Sequence, residues 1–343
     1  MAVSTFQIKP LSNLIIHAII AGIDVKTTKE GAQMCTSLTM NTQDHHQLFG
    51  RTMDFPTKTP WQLTFLPSQH QWQPYTSSQV FNSKYSILGG MRHIANHFLI
   101  GDGINEAGLC CAELYFPIEA NYHSSPVNGK LNLSPQDFTT WLLSENSSIA
   151  EINSKLDQIA LIGTDWYDHD GIYPFHWLLT DKTGQTAIVE PTKLTLHLQS
   201  DPVNVLTNTP SIEKHISNLN QFLQLHGNHF DETTISAIQN FNGPLPSKHI
   251  PTDRFIQAAI TRWKSQPTNV ANGKNTLFNF LETVRIPKEN DRHDYTHYES
   301  VIDVNSLTYW FKNTANNKII ITTLETAINN YATTHIFNME ELK

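Results

Sequence analysis

Pairs of apolar runs joined by short polar turns constrain this chain most. "CTSLTMN" (Cys35 to Asn41) and "HHQLFGRTMDF" (His45 to Phe55) flank the polar "TQDH", which predicts a hairpin. "HFLIGDGINEAGLCCAELYF" (His97 to Phe116) breaks at Asn105-Glu106-Ala107-Gly108 and predicts a second. In "SPQDFTTWLLSEN", Ser134 is placed to cap a helix, Pro135 takes its first position, and Phe138, Trp141 and Leu142 follow at helical spacing. "SIAEINSKLDQIALI" predicts a second helix throughout its length. Residues 174–208 read as four short strands turning at Lys182-Thr183-Gly184. "SIEKHISNLNQFLQL", "TDRFIQAAITRW" and "NTLFNFLETV" have amphipathic helical spacing, and "YESVIDVNSLTYWFKNTANNKIIITTL" returns to strands. Hairpins rather than strand–helix alternation predict antiparallel sheets covered by helices. No Gly-rich phosphate loop follows a strand, so nucleotide binding is not expected.

Charge and cysteine usage narrow the class further. The 23 basic and 31 acidic residues give −8 with no Lys/Arg block, which argues against nucleic acid as a partner. Three cysteines, two of them adjacent (Cys110 and Cys111), form neither a disulfide framework nor a CxxC site. This suits a reducing compartment, and a cytoplasmic location is expected. "LIIHAIIAGI" (Leu14 to Ile23) is shorter than the roughly 20 residues a membrane-spanning helix needs. It is also a poor export signal, because "EGAQM" offers no small-x-small cleavage site and Met34 is not small. Residues 1–34 therefore read as a leader or upstream extension absent from the active protein, with Met34 as the working initiator. Residues 35–343 read as a single domain.

Seven segments in order resemble the choloylglycine hydrolase family, which contains bile-salt hydrolases and penicillin V acylases. They are "MCTSLTM", "GRTMDF", "DGINEAGL", "HWLLTDKTGQTAIVEP", "NVLTNTP", a "LP…DRF" pair and "HYESVIDVNSLTYWFK", and the likeness runs from Cys35 to about Leu324. The resemblance implies an N-terminal-nucleophile hydrolase fold: an α+β, four-layer αββα sandwich of two antiparallel sheets between helical layers. It implies a cysteine nucleophile that cleaves linear amides without metal or cofactor, and a homotetramer.

By residue type alone, a Cys opening a strand is more often core than catalytic. At a chain terminus, however, it carries its own base, an α-amine of pKa near 7.7–8.0 beside a thiol near 8.5. Arg51 and Asp54 lie 16 and 19 residues beyond Cys35, where a hairpin partner strand can bring them back to it. A carboxylate there can orient an ammonium and a guanidinium can favour a thiolate. The plainer reading is an Arg–Asp pair tying a turn. The resemblance assigns Asn208 to an oxyanion hole, although its place before Pro210 also suits a helix cap. It assigns the Tyr115 main-chain N–H to the same hole, and Arg254 to ordering charge around the nucleophile; alone, Arg254 would read as a helix-surface cation. Asn105 reads as a turn residue.

Tyr at position 115 resembles the penicillin V acylase side of the family, where bile-salt hydrolases carry Asn. A ring there can stack on a phenoxyacetyl group or line an acyl pocket. The expected substrate is penicillin V or a similar N-acyl amide, including N-acyl homoserine lactones, with conjugated bile salts as the alternative. Segments 60–75 and 120–132 are expected to include substrate loops. A different class, a membrane-tethered binding protein on the same scaffold, would use Leu14 to Ile23 as its anchor.

Overall fold

The first hairpin forms as the sequence predicts, with β1 (Thr36–Asn41) antiparallel to β2 (Gln47–Met53). In the computed structural model the described residues are 35–55, 59–288 and 295–338, so the proposed leader (1–34) lies outside them. β14 (Val205–Thr207) adds to the free edge of β1, and β15 (Tyr298–Asp303), β16 (Thr308–Asn313) and β17 (Ile319–Thr323) extend the other side. Together they make a six-stranded sheet ordered β14-β1-β2-β15-β16-β17. The second sheet has eight strands: β3 (Gln62–Leu66), β6 (Ile87–Ile94), β7 (His97–Asn105), β8 (Cys110–Tyr115), β11 (Phe175–Thr180), β12 (Thr186–Val189), β13 (Leu198–Ser200) and β18 (His335–Ile336). Every pairing within the two large sheets is antiparallel.

Helices α1 (Pro135–Glu145) and α2 (Ile149–Lys155) follow β8, with α1 packed on β7 and β8. Helices α3 (Ile212–Phe222), α4 (Glu232–Asn240), α5 (Pro251–Lys264) and α6 (Val270–Val284) follow β14, with α5 and α6 lying over β1, β2 and β14. Helix α7 (Leu324–Asn330) follows β17. The inner faces of the sheets meet through buried side chains. Thr39 and Thr186 hydroxyls are 3.3 Å apart, and Gln47 Nε2 donates to the Thr180 hydroxyl at 3.1 Å. The layers are thus α, β, β, α, the expected sandwich.

Local chemistry explains the elements and two departures. Ser134 Oγ accepts from the Asp137 N–H, with Pro135 at the first turn of α1. Asn105 is the turn residue the sequence suggests: its Oδ1 accepts from the main chain of Ala107 and Leu109. Its Nδ2 donates to the carbonyls of Leu143 and Asn146 at the end of α1, which tethers the hairpin to the helix. The second predicted helix stops at Lys155. After a 3₁₀ turn (Leu156–Gln158), β10 (Ile159–Leu161) pairs in parallel with β9 (Leu131–Leu133), burying Ile159 and Leu161. The expected loop at 60–75 contains β3 and β4 (Gln71–Trp72); β4 pairs with β5 (Phe81–Asn82). The burial of Leu63, Thr64, Phe65 and Leu66 in the large sheet overrides the flanking prolines.

Between β6 and β7 the register skips a residue. Gly90 pairs with Asp102 and Met91 pairs with Ile100, leaving Gly101 bulged out of the ladder. A side chain at Gly90 is impossible without rearrangement, because a Cβ there would fall 2.3 Å from the Tyr298 hydroxyl. Both details matter for the site.

Candidate active site

β1 begins beside Cys35, and the hairpin register sets Ser37 opposite Arg51 and Thr36 opposite Thr52. Arg51 therefore returns diagonally to Cys35, and its Nη2 lies 3.4 Å from Sγ. The guanidinium is fully buried and also donates to the carbonyls of Thr52 (3.2 Å) and Gly101. The Gly101 carbonyl is available because the bulge has released it from β6. Asp54 faces other partners, the hydroxyls of Thr52 (3.0 Å) and Thr296. Thr52 in turn accepts from the Thr36 N–H at 3.2 Å. Arg51 and Asp54 are thus held separately, not as a pair tying a turn.

Arg254 and Asn208 close the other side. Arg254 lies on α5 but is fully buried, not a surface cation. Its Nη1 donates to the Cys35 carbonyl at 2.6 Å and the Thr36 hydroxyl at 2.5 Å, and its Nη2 to Asn208 Oδ1 at 3.0 Å. The same Oδ1 accepts from the Cys35 main-chain nitrogen at 2.6 Å. Two donors on this atom identify it as the amide oxygen. Asn208 Nδ2 then donates to the Tyr115 carbonyl at 2.9 Å and keeps a second N–H. Asn208 does not cap α3; Ser211 stands at that position.

Tyr115 ends β8 opposite Phe175, whose own N–H and carbonyl engage the Tyr122 hydroxyl and so point away from β8. In an antiparallel ladder the opposed residue likewise turns both main-chain groups outward. The Tyr115 N–H therefore faces the same side as its carbonyl, toward Asn208. Its half-buried ring makes edge contact with Phe55 (centroids 6.2 Å), which also meets Tyr173 (4.9 Å) and Phe175 (6.1 Å). The six residues singled out from sequence (Cys35, Arg51, Asp54, Tyr115, Asn208 and Arg254) are brought to one place.

Burial raises the proton affinity of the Cys35 thiol; Arg51, the Asp54 main-chain N–H and Arg254 oppose this, while the Asp54 charge adds to it. Burial also pushes Asp54 up to about 6 against Arg254, its two threonine donors and Arg51. It draws Arg254 down to about 10, partly offset by Asp54 and Cys35. The arrangement can hold a thiol beside a cation, position the nitrogen of the same residue, and offer N–H donors to a nearby oxygen. Among the described residues, no group of three or more His, Cys, Asp or Glu side chains is arranged to hold a metal ion.

Sequence reasoning missed several supporting groups. Asp102 is fully buried, with Oδ1 3.8 Å from Arg51 Nη1, and accepts from the hydroxyls of Tyr298, Ser300 and Tyr309. His215 on α3 stacks on Phe255, and its Nε2 lies 2.8 Å from the Asn208 carbonyl oxygen. Burial lowers it to about 3, so it is neutral and Nε2–H donates. A histidine seven residues beyond Asn208, on the inner face of an amphipathic helix, was the available signal.

A conjugated bile acid hydrolase from Clostridium perfringens superposes with a TM-score of 0.76 at 25% identity, covering 89% of this chain and 96% of that one. A bile salt hydrolase/transferase from the same species is 29% identical over 303 residues, 83% of this chain and 91% of its own. The penicillin V acylase of Pectobacterium atrosepticum is more distant, 22% identical over 80% of this chain and 76% of its own. That of Agrobacterium tumefaciens shares the fold (TM-score 0.67, 20% identity, 86% of this chain and 87% of that one). Residues 35–334 match the linear amide C–N hydrolases of the choloylglycine hydrolase family, and with a match spanning most of its length the chain belongs to that family of amide hydrolases.

Proposed function

We propose that the chain becomes active when it begins at Cys35, and that it hydrolyses N-acyl amides of the penicillin V type with Cys35 as nucleophile. The observation that carries this reading is the double hold on Cys35, its nitrogen 2.6 Å from Asn208 Oδ1 and its sulfur 3.4 Å from Arg51 Nη2. As a free α-amine that nitrogen takes the thiol proton, while Asp54 balances the resulting ammonium. Sulfur attacks the amide carbonyl, and the C–O π pair moves to oxygen, where the second Asn208 N–H and the Tyr115 N–H receive it. Collapse breaks the C–N bond as the ammonium protonates the leaving amine. Water, deprotonated by the same amine, then cleaves the thioester; the carboxylic acid departs and the thiol recovers its proton.

For the substrate, Tyr115 with Phe55, Tyr173 and Phe175 favours a flat or extended acyl group. Conjugated bile salts are the second reading, favoured by the 29% identity to the Clostridium perfringens enzyme. A tetramer accompanies either reading by family resemblance, and a cytoplasmic location by the cysteine usage; no described helix is long and apolar enough to cross a membrane. The deciding experiment joins intact-mass analysis to amine release from penicillin V, an N-acyl homoserine lactone and glycocholate. We expect a mass beginning at Cys35 and the highest kcat/KM on one of the first two. Full activity with residues 1–34 attached defeats the mechanism, and a dominant glycocholate rate overturns the substrate.

A further inference from the structure

Behind Arg51 stands a carboxylate that the reaction scheme does not use. Asp102 is fully buried in β7, and its donors come from the facing sheet: the Tyr298 hydroxyl on Oδ1, and Ser300 (3.0 Å) and Tyr309 (2.5 Å) hydroxyls on Oδ2. Arg51 Nη1 approaches Oδ1 to 3.8 Å. Burial raises the proton affinity of Asp102, while the nearby guanidinium and the three hydroxyl donors oppose this and favour the charged form. A buried guanidinium needs such a counter-charge, because in low dielectric an unbalanced charge is costly. Gly90 has no side chain where Tyr298 must pass to reach Asp102, and the bulge beside it directs the Gly101 carbonyl to the same guanidinium. These features converge on one cation, which also reaches the Cys35 sulfur, the Thr52 carbonyl and, at 3.6 Å, the Met53 sulfur.

We propose that Asp102 is a positioning residue, the counter-charge that holds Arg51 and limits how strongly it draws out the Cys35 thiolate. Asp102 and the Cys35 sulfur are alternative anionic partners of a single guanidinium. With Asp102 charged, the thiol keeps its proton until the neighbouring nitrogen takes it; with Asp102 neutral, Arg51 is balanced by a standing thiolate. Glu113 and the Cys110 and Cys111 thiols also act electrostatically with Asp102 and Arg51, and Asp54 and Arg254 with Cys35. None of these bonds directly to both partners.

The proposal rests on Cys35 being the reactive thiol, and its test needs no substrate. The pH dependence of iodoacetamide alkylation is followed at Cys35 by peptide mass, with Cys110 and Cys111 as reporters of an opened fold. Asp102→Asn should move the midpoint down by about one pH unit, making alkylation below it about tenfold faster. In an Arg51→Gln background the same change should have no effect, as coupling through Arg51 requires. An unchanged or raised midpoint, or an equal shift without Arg51, overturns the proposal. If Asp102→Asn does not fold, Tyr309→Phe removes one donor, favours the protonated carboxyl and should give a smaller shift of the same sign; no shift there is equally fatal. Absence of amide turnover in the wild type would defeat the proposed function while leaving this result standing.

Discussion

The polar interior of the site and the ring cluster beside it are built on different principles. Inside, every charged group has several fixed partners: Arg254 makes bonds to four residues, Asp54 to two threonines, and Arg51 reaches both main chain and sulfur. In the cluster, Phe55 meets Tyr115, Tyr173 and Phe175 through edge and tilted ring contacts, and the Tyr173 hydroxyl donates to Asp168 at 2.6 Å. Polar networks fix geometry because each lost partner strands a buried charge. Ring contacts of about 0.5–1.5 kcal/mol each tolerate exchange. Reaction type is therefore expected to be robust in this molecule, and substrate preference adjustable.

The sharpest way to break the interior is Cys35→Ser, which should abolish nearly all turnover while near-UV circular dichroism stays native. Substantial activity in that variant would remove Cys35 from the chemistry. Asn208→Ala should cost on the order of 10²–10³ in kcat by deleting one oxyanion donor. A wild-type rate in the folded variant would assign Asn208 to packing alone. The third test is pH. Asp54, raised to about 6 mainly by burial, must be ionised to balance an ammonium, so kcat/KM should decline by about tenfold per unit as pH falls below about 6. Stability runs the other way: a carboxyl whose proton affinity is higher folded than unfolded makes its largest contribution below about 3.9, and this is lost as pH rises through about 6. A profile flat from pH 5 to 7 contradicts the role. The smallest effect belongs to the ring cluster. Tyr173→Phe releases its tie to Asp168 and should change KM several-fold with kcat nearly constant; a collapse of kcat would mean that cluster and interior are one unit.

How much of this could be read in the sequence follows the same division. The hairpins at Cys35 to Phe55 and His97 to Phe116 were legible because their turns are local. β6 was not: "ILGGMRHI" reads as a weak strand, yet Gly89 and Gly90 are where a Cβ would strike the Asp102 carbonyl and the Tyr298 hydroxyl. α4 was missed as well, its short "ETTISAIQN" carrying only Thr234 and Ile238 into the interior. Cys35, Arg51, Asp54, Tyr115, Asn208 and Arg254 were found through resemblance to a family, not by spacing. Asp102 escaped because a lone acid within the apolar run before the Asn105 turn carries no spacing signal. Its donors are 196, 198 and 207 residues away, and only the meeting of two sheets brings them together.

That separation has a consequence for how the protein comes into being. Synthesis proceeds from the N-terminus at about 5–20 residues per second, so roughly 275 residues are added between Cys35 and Tyr309, which takes about 15–55 seconds. For most of that interval Arg254 has not yet been made, and for all of it Tyr309 is missing from the donors around Asp102. A nascent or truncated chain thus carries Cys35 without the full set of contacts of the folded protein, and the site is complete only when the chain nearly is.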